Sequence, residues 1–193
     1  MRNLRSPFFA VLLLFGVLLL IGVPLLSRGN LVPEQDTDEG QIVEYRSEKF
    51  GFQLQYPQKW QVLEDPRELV GVGPQDLHAV AIVPTPGSKT LVIVYIQTLT
   101  TTQTLDEYVA RQMQSMQANE SKIEFSSPQP IQVSEADARA TSAMITGENP
   151  PRQQRVVMTI KGLRAYALSF SGPPEGHYAQ TFQVMLNSFT FLQ

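Results

Sequence analysis

The chain has 193 residues, of which 42% are apolar and 17% charged, and it contains no cysteine. The absence of cysteine excludes disulfides, thiolate metal sites, a cysteine nucleophile and a lipid-modified cysteine anchor. The first 28 residues hold three of the 15 basic residues and none of the 18 acidic ones, so the remainder carries 12 basic and 18 acidic residues, a net charge of −6. Because nucleic acid requires a basic surface, this charge argues against a nucleic-acid partner.

Residues 6–27 are uncharged and mainly apolar, and they predict a transmembrane helix. At about 1.5 Å per residue this helix would span roughly 33 Å, enough for a bilayer core of about 30 Å. The apolar run is longer than that of a cleaved signal peptide, so an uncleaved signal anchor in residues 1–28 is favoured. Arg2 and Arg5 precede the helix and acidic residues follow it. This asymmetry predicts a cytoplasmic N-terminus, with the rest of the chain on the periplasmic, thylakoid-lumenal or extracellular side.

Residues 29–40 predict a flexible linker. They contain Gly29, Asn30, Pro33 and four acidic side chains, with almost no apolar periodicity. Residues 41–193 are then long enough to form one folded domain.

The first half of this domain shows the period-two alternation of strands. Trp60 and Val62 fall on one side of a short strand, and Trp60, the only tryptophan, is expected to anchor the core. Further strands are predicted at residues 78–84 and 90–99, and the second is so apolar that we expect it to be central and covered on both faces. The clearest alternation places four apolar side chains on one face: Phe50, Phe52, Leu54 and Tyr56.

The second half combines two helices with further strands. Residues 104–120 have helical spacing, and Thr104 with Glu107 predicts an N-terminal capping box. A second helix is expected near residues 177–187. Between them we predict four strands, the last two joined by a tight turn at Lys161 and Gly162. The order of elements predicts an α+β fold, mainly an antiparallel sheet with helices packed on its faces. The strands are expected at residues 131–135, 138–146, 152–162 and 163–172.

Residues 50–60, with the sequence FGFQLQYPQKW, are similar to the opening pattern F-x-I-x-Y-P-x-x-W of PsbP-like domains and of the related DcrB and LpqN domains. The order of the elements and the terminal pair Ser188 and Phe189 also resemble that superfamily. The resemblance implies an α-β-α sandwich that serves as an extracytoplasmic binding or assembly module and is not an enzyme. PsbP proteins act on the lumenal side of photosystem II, where they assist its assembly or its retention of calcium and chloride. Many bacterial members are lipoproteins, whereas here a transmembrane helix replaces the lipid-modified cysteine.

Asp76 and His78 are the candidate metal ligands. An Asp-x-His pair could offer an oxygen and a nitrogen to a weakly bound divalent ion such as calcium. Two ligands do not make a site, and a surface histidine beside a solvated acid is the alternative, so no cofactor is predicted.

Two possible catalytic sites have less support in the sequence. His177 could form a serine triad with Ser169 or Ser171, but no G-x-S-x-G elbow is present, and a histidine at a helix start is favoured. The acidic residues at 64, 65 and 68 could act as an acid/base pair. The intervening Pro66 and Arg67 favour an exposed, solvated turn instead.

Residues 147–155 join two long strands with a double proline and two arginines, which predicts a rigid, basic, protruding loop. Loops on a sheet scaffold are favoured places for function, so this tract is our candidate partner contact; an ordinary hairpin connection is the alternative. The candidate residues are Asn149, Pro150, Pro151, Arg152 and Arg155.

The sequence therefore favours a binding or assembly module that is anchored in the membrane by residues 6–27 and docks on a membrane protein complex, photosystem II being one example. The alternative is a cell-envelope carrier of a lipid or another small apolar ligand. A cavity between sheet and helix, lined by residues such as Tyr108, Met113 and Phe182, would favour the carrier.

Overall fold

A computed structural model describes residues 40–65, 77–85, 88–119, 123–145 and 151–192. The predicted anchor and nearly all of the predicted linker lie outside these residues. Within the described ranges, no helix is long and apolar enough to cross a membrane. The elements are β1 (Ile42–Ser47), β2 (Phe52–Pro57), β3 (Gln61–Glu64), β4 (Leu77–Val83), β5 (Leu91–Thr98), α1 (Leu105–Asn119), β6 (Gln129–Val133), β7 (Ala136–Ile145), β8 (Arg152–Lys161), β9 (Arg164–Gly172), α2 (His177–Ser188) and β10 (Thr190–Phe191).

The described strands form two antiparallel sheets rather than one. The large sheet has seven strands in the order β3-β4-β5-β9-β8-β7-β6, and the small sheet has three in the order β1-β2-β10. We expected a single sheet, but β2 is paired along one edge with β1 and along the other with β10, so it does not join the large sheet. The prediction of mainly antiparallel strands is confirmed.

The large sheet is covered on both faces. On one face α1 packs through Tyr108, Val109 and Met116. On the other face α2 and the small sheet pack together, with Phe182 and Phe52 both fully buried. This arrangement is the expected sandwich, with the small sheet added to one of its outer layers. As predicted, β5 is an interior strand, and its apolar side chains alternate between the two cores.

The helices and the aromatic core also agree with the sequence analysis. At the start of α1 the Glu107 amide donates to the Thr104 hydroxyl at 3.2 Å, and the Thr104 amide donates to the Glu107 carboxylate at 2.8 Å, so the predicted capping box is confirmed. Trp60 is buried, and its ring lies 5.8 Å from that of Tyr178 in α2.

The β8–β9 turn lies one residue later than predicted. Lys161 still pairs with Arg164, so Gly162 and Leu163 are the two central residues. Gly162 has a φ of 62°, whereas the φ of Leu163 is not positive. Turns of type II′ require a positive φ at the first central position, where glycine is unstrained, so the glycine determines the position of this turn.

Candidate functional site

The strand register brings several distant loops to one end of the large sheet. Gln61 at the start of β3 pairs with Val83 at the end of β4, and Leu91 pairs with Ser171 near the end of β9. Arg152 at the start of β8 pairs with Ile145 at the end of β7. The described chain also enters here, since the backbone at Gly40 approaches the Lys59 side chain.

Four basic side chains lie at or near this end: Lys59, Lys89, Arg152 and Arg155. We call this surface the basic end. Lys59 and Lys89 are exposed in the connections before β3 and β5. The described connections at this end also contain two acidic residues, Glu124 before β6 and Glu175 before α2, so the four cations outnumber the acids there. The opposite end of the sheet is more acidic, and its acids include Glu64, Asp65, Asp106, Glu107, Glu135 and Asp137.

The predicted partner segment belongs partly to the basic end. Asn149 and Pro150 lie outside the described residues, while Pro151 is exposed directly before β8. Arg152 and Arg155 are not in a loop, because β8 already begins at Arg152. Their role in partner binding stays a prediction.

Both arginines contact the body of the domain. Arg152 Nη1 donates to the Lys89 carbonyl oxygen at 3.4 Å, which joins the β8 start to the loop before β5. The Arg155 guanidinium lies 5.5 Å from the centre of the Phe182 ring in α2. Each cation is thereby held by the fold in a defined position. Sequence analysis did not identify Lys59 and Lys89, because their neighbours at this end are distant in sequence.

His78 meets a different acid from the predicted one. Its Nδ1 lies 3.1 Å from Asp65 Oδ1, while Asp76 lies outside the described residues. Asp65 also accepts a hydrogen bond from the Ala79 amide at 3.2 Å and pairs with Lys49 at 3.2 Å. The Phe50 ring lies 5.3 Å from that of His78. This polar cluster joins the β1–β2 turn to the β3–β4 hairpin.

The electrostatics of the cluster follow from its donors. Partial burial of Asp65 raises the pKa of its carboxyl, but the Ala79 amide, Lys49 and His78 more than offset this effect and hold the pKa below its ordinary value. Asp65 therefore acts as a charged acceptor that fastens two hairpins together. Its side chain is still 39% exposed and residues 66–68 lie outside the described ranges, so the solvated turn stays a prediction. Within the described ranges, no group of three or more potential metal-ligating side chains is found. The metal role predicted for Asp76 and His78 stays a prediction.

The other candidate groups do not converge. The residues of the possible serine triad lie on opposite faces of the large sheet. Ser169 pairs with Val156 on the face that α1 covers, whereas His177 begins α2 on the other face. The His177 ring instead contacts that of Tyr178 at 3.9 Å. The cavity residues are separated in the same way: Tyr108 and Met113 belong to the core beneath α1, and Phe182 belongs to the core beneath α2.

Comparison with known proteins agrees with this architecture. Residues 75–184 match the family model described as DcrB. No curated protein matches the sequence. The solution structure of cyanobacterial PsbP (CyanoP) from Synechocystis sp. PCC 6803 matches with a TM-score of 0.58 at 14% identity, over 88% of this chain and 99% of that one. A crystal structure from Bacteroides thetaiotaomicron matches with a TM-score of 0.51 at 15% identity, over 81% of this chain and 50% of that one.

Proposed function

Because the chain belongs to the DcrB family and has a PsbP-like fold, we propose that it is a binding and assembly module anchored in the membrane by residues 6–27. The module acts outside the cytoplasm, is not an enzyme, and docks on a membrane protein complex. The resemblance to PsbP proteins makes photosystem II the first complex to test.

The observation that carries this proposal is the charge difference between the two ends of the domain. The basic end stands out on a chain whose residues after 28 have a net charge of −6. The described chain enters at this end, so a linker of residues 29–40 would keep it near the membrane. A basic surface close to the bilayer is complementary to the acidic surface of a membrane protein, and such complementarity accelerates association and orients the partners.

The connections at the basic end are suited to recognition because the sheet holds them rigidly. Lys89 is followed closely by β5, whose first six residues are all buried. Arg152 links the backbone at Lys89 to the start of β8, so the two basic connections form one surface. Preorganised contacts of this kind lower the entropic cost of docking.

Charge reversal tests the proposal. The full-length chain would be purified from native membranes in mild detergent, with cross-linking and mass spectrometry. We expect reproducible recovery of one membrane complex, with cross-links at the basic end. Lys89→Glu should reduce this recovery several-fold and weaken its decrease with added salt, because exposed charges at an interface act mainly on the association rate.

Lys161→Glu is the matched control, since Lys161 is also an exposed lysine at a strand end but lies at the opposite end of the sheet. Its recovery of the complex should equal that of the wild type. Equal losses for the two variants, or cross-links confined to the opposite end, would contradict the docking surface. Recovery of the protein alone would contradict the assembly role.

Membrane topology is tested separately. Protease added to intact cells with a permeabilised outer layer should digest residues 41–193, because the positive flank is predicted to hold the N-terminus in the cytoplasm. Protection of this region would overturn the assignment.

A further inference from the structure

A groove of about 420 Å³ lies between α1 and the segment that leads into β6. One face of α1 forms one wall, residues 125–128 form the other, and Arg139 of β7 also lines it. The volume falls in the range of about 300–1,000 Å³ that is typical of small-molecule sites. No residue of the basic end lines the groove, so ligand binding in the groove does not depend on the docking proposal.

The groove has an apolar floor. Val109 is buried, and Met113 and Phe125 are half-buried and pack against the core beneath α1. Along α1 the lining extends from Asp106 to Gln117, which corresponds to about 16 Å of helix. The rim is polar, with Asp106, Gln117 and two serines, so an extended hydrocarbon chain would lie along the apolar floor with one side open to solvent.

Arg139 supplies a cation with a replaceable partner. Its Nη2 lies 2.8 Å from Asp106 Oδ1, and 24% of the Arg139 side chain is exposed against 74% for Asp106. Arg139 Nη1 also donates to the Ala138 carbonyl oxygen at 3.1 Å, which helps to fix the guanidinium. An ion pair with so exposed a carboxylate contributes only about 0–1 kcal/mol to the stability of the fold. An incoming anion can therefore take the place of Asp106 beside the guanidinium.

We propose that this groove binds a single-chain amphiphile with a carboxylate head, the chemical class of fatty acids. The carboxylate binds the Arg139 guanidinium, whose planar fork matches the two oxygens. The chain lies along Val109, Met113 and Phe125 and ends near Gln117.

An extended peptide fits this position less well. β6 is an edge strand of the large sheet, and peptides usually dock on such edges through backbone hydrogen bonds. Pro128 and Pro130 remove two amide donors from this edge, and prolines at edges oppose strand addition. What remains is a groove with an apolar floor, a polar rim and one cation, which favours the amphiphile.

Photo-cross-linking tests the site on the full-length chain in nanodiscs of zwitterionic lipid. The probe is dodecanoate with a diazirine near the chain end, and labelled peptides are mapped by mass spectrometry. We expect labelling within residues 106–117 and 125–128. Unlabelled dodecanoate should compete, and dodecanol, which has the same chain without the charge, should compete at least tenfold less well.

Two variants with opposite expected effects separate binding from folding. Arg139→Gln should weaken binding at least tenfold, because a charge-assisted contact is lost. Asp106→Asn should strengthen it by up to about fivefold, because the competing carboxylate is removed. Arg111→Gln is the control and should leave binding unchanged, since Arg111 is exposed on α1 but does not line the groove.

Labelling outside the two segments, equal competition by dodecanoate and dodecanol, or weaker binding by Asp106→Asn would each overturn the proposal. A general loss of fold cannot produce the expected gain from Asp106→Asn, so that variant keeps the test decisive even if Arg139→Gln is unstable.

Discussion

Asp65 and Tyr166 are two residues whose polar atoms hold the small sheet and the large sheet together. Asp65 follows β3 and contacts Lys49 in the turn of the small sheet. Tyr166 in β9 donates its hydroxyl proton to the buried Phe50 carbonyl oxygen at 2.9 Å. Burial raises the pKa of Tyr166, so the hydroxyl stays protonated and able to donate. Both contacts can be tested by substitutions that keep the local shape.

Asp65→Asn should destabilise the fold in a pH-dependent way. Because the folded pKa of Asp65 is lowered, its contribution is present above the unfolded value of about 3.9 and is lost as the pH falls through the folded value. We expect a loss of about 1 kcal/mol near neutral pH, limited by the 39% exposure of the side chain. Urea unfolding followed by Trp60 fluorescence measures it.

The difference between Asp65→Asn and the wild type should shrink below about pH 4. Asparagine tolerates the positive φ of 45° at this position, so the substitution should not add backbone strain. Asp137→Asn, at an exposed aspartate of β7, is the control and should change stability by less than about 0.5 kcal/mol. A difference that does not depend on pH would contradict the role of the carboxylate charge.

Tyr166→Phe should lower the free energy of unfolding by about 1–3 kcal/mol, because the Phe50 carbonyl oxygen would be left buried without this donor. Urea unfolding measures the change. Tyr56→Phe, at a half-buried tyrosine of β2, provides the comparison and should cost less than about 0.5 kcal/mol. Equal losses for the two variants would show that the Tyr166 hydroxyl has no special role.

At the scale of elements, α1 is specified by its own sequence. Thr104 and Glu107 exchange hydrogen bonds at its start, and the donors from Thr104 hold the pKa of the Glu107 carboxyl below its ordinary value. Asp106 and Glu107 also place negative charge at the positive end of the helix dipole. The same helix forms one wall of the proposed amphiphile groove. A change that frays the start of α1 should therefore also weaken amphiphile binding.

Thr104→Ala should cost about 1 kcal/mol of stability, because the Glu107 amide loses its acceptor and the helix start frays. Urea unfolding measures the loss, and hydrogen exchange of the first amides of α1 should increase. Thr102→Ala, at an exposed threonine just before the capping box, should be close to neutral. Unchanged exchange in Thr104→Ala would argue that tertiary packing alone defines the helix start.

At the scale of the whole molecule, two cores on opposite faces of the large sheet share its strands. The core beneath α2 also includes the small sheet, with Phe52 stacked on Phe189 at 5.3 Å. The ring of Phe170 in the large sheet stacks on that of Phe182 in α2 at 5.3 Å. The side chains of α2 therefore pack in one core with both sheets, so the loss of a large α2 side chain should weaken contacts to the small sheet and to the large sheet.

Phe182→Ala should therefore be the most damaging of these substitutions, with a loss of about 3–5 kcal/mol from the cavity it creates in a fully buried position. Val184→Ala is the control on the same helix; Val184 is 41% exposed and the change should cost less than about 1 kcal/mol. The two variants would be compared by urea unfolding. Similar losses would contradict the assignment of α2 as an integral layer.

Much of the fold could be predicted because its signals are local. The alternation through Phe50, Phe52 and Leu54, the capping box at Thr104 and the apolar run of β5 depend on neighbours within a few residues. The choice of Gly162 as the first residue of its turn is also local, although we placed that turn one residue early. The candidate site was harder to predict from the sequence, since no short segment contains Lys59, Lys89 and Arg152 together.

By itself, the sequence indicated the superfamily through the resemblance of residues 50–60 to a known pattern. It also determined the antiparallel character of the strands and the positions of both helices, because these depend on periodicity, capping and turn chemistry within a short segment. Only the tertiary structure decided that β2 pairs with β10, that His78 meets Asp65, and that the basic end and the groove exist. Each of these depends on contacts between residues that are distant in the chain, and strand register, which local patterns do not specify, brings such residues together.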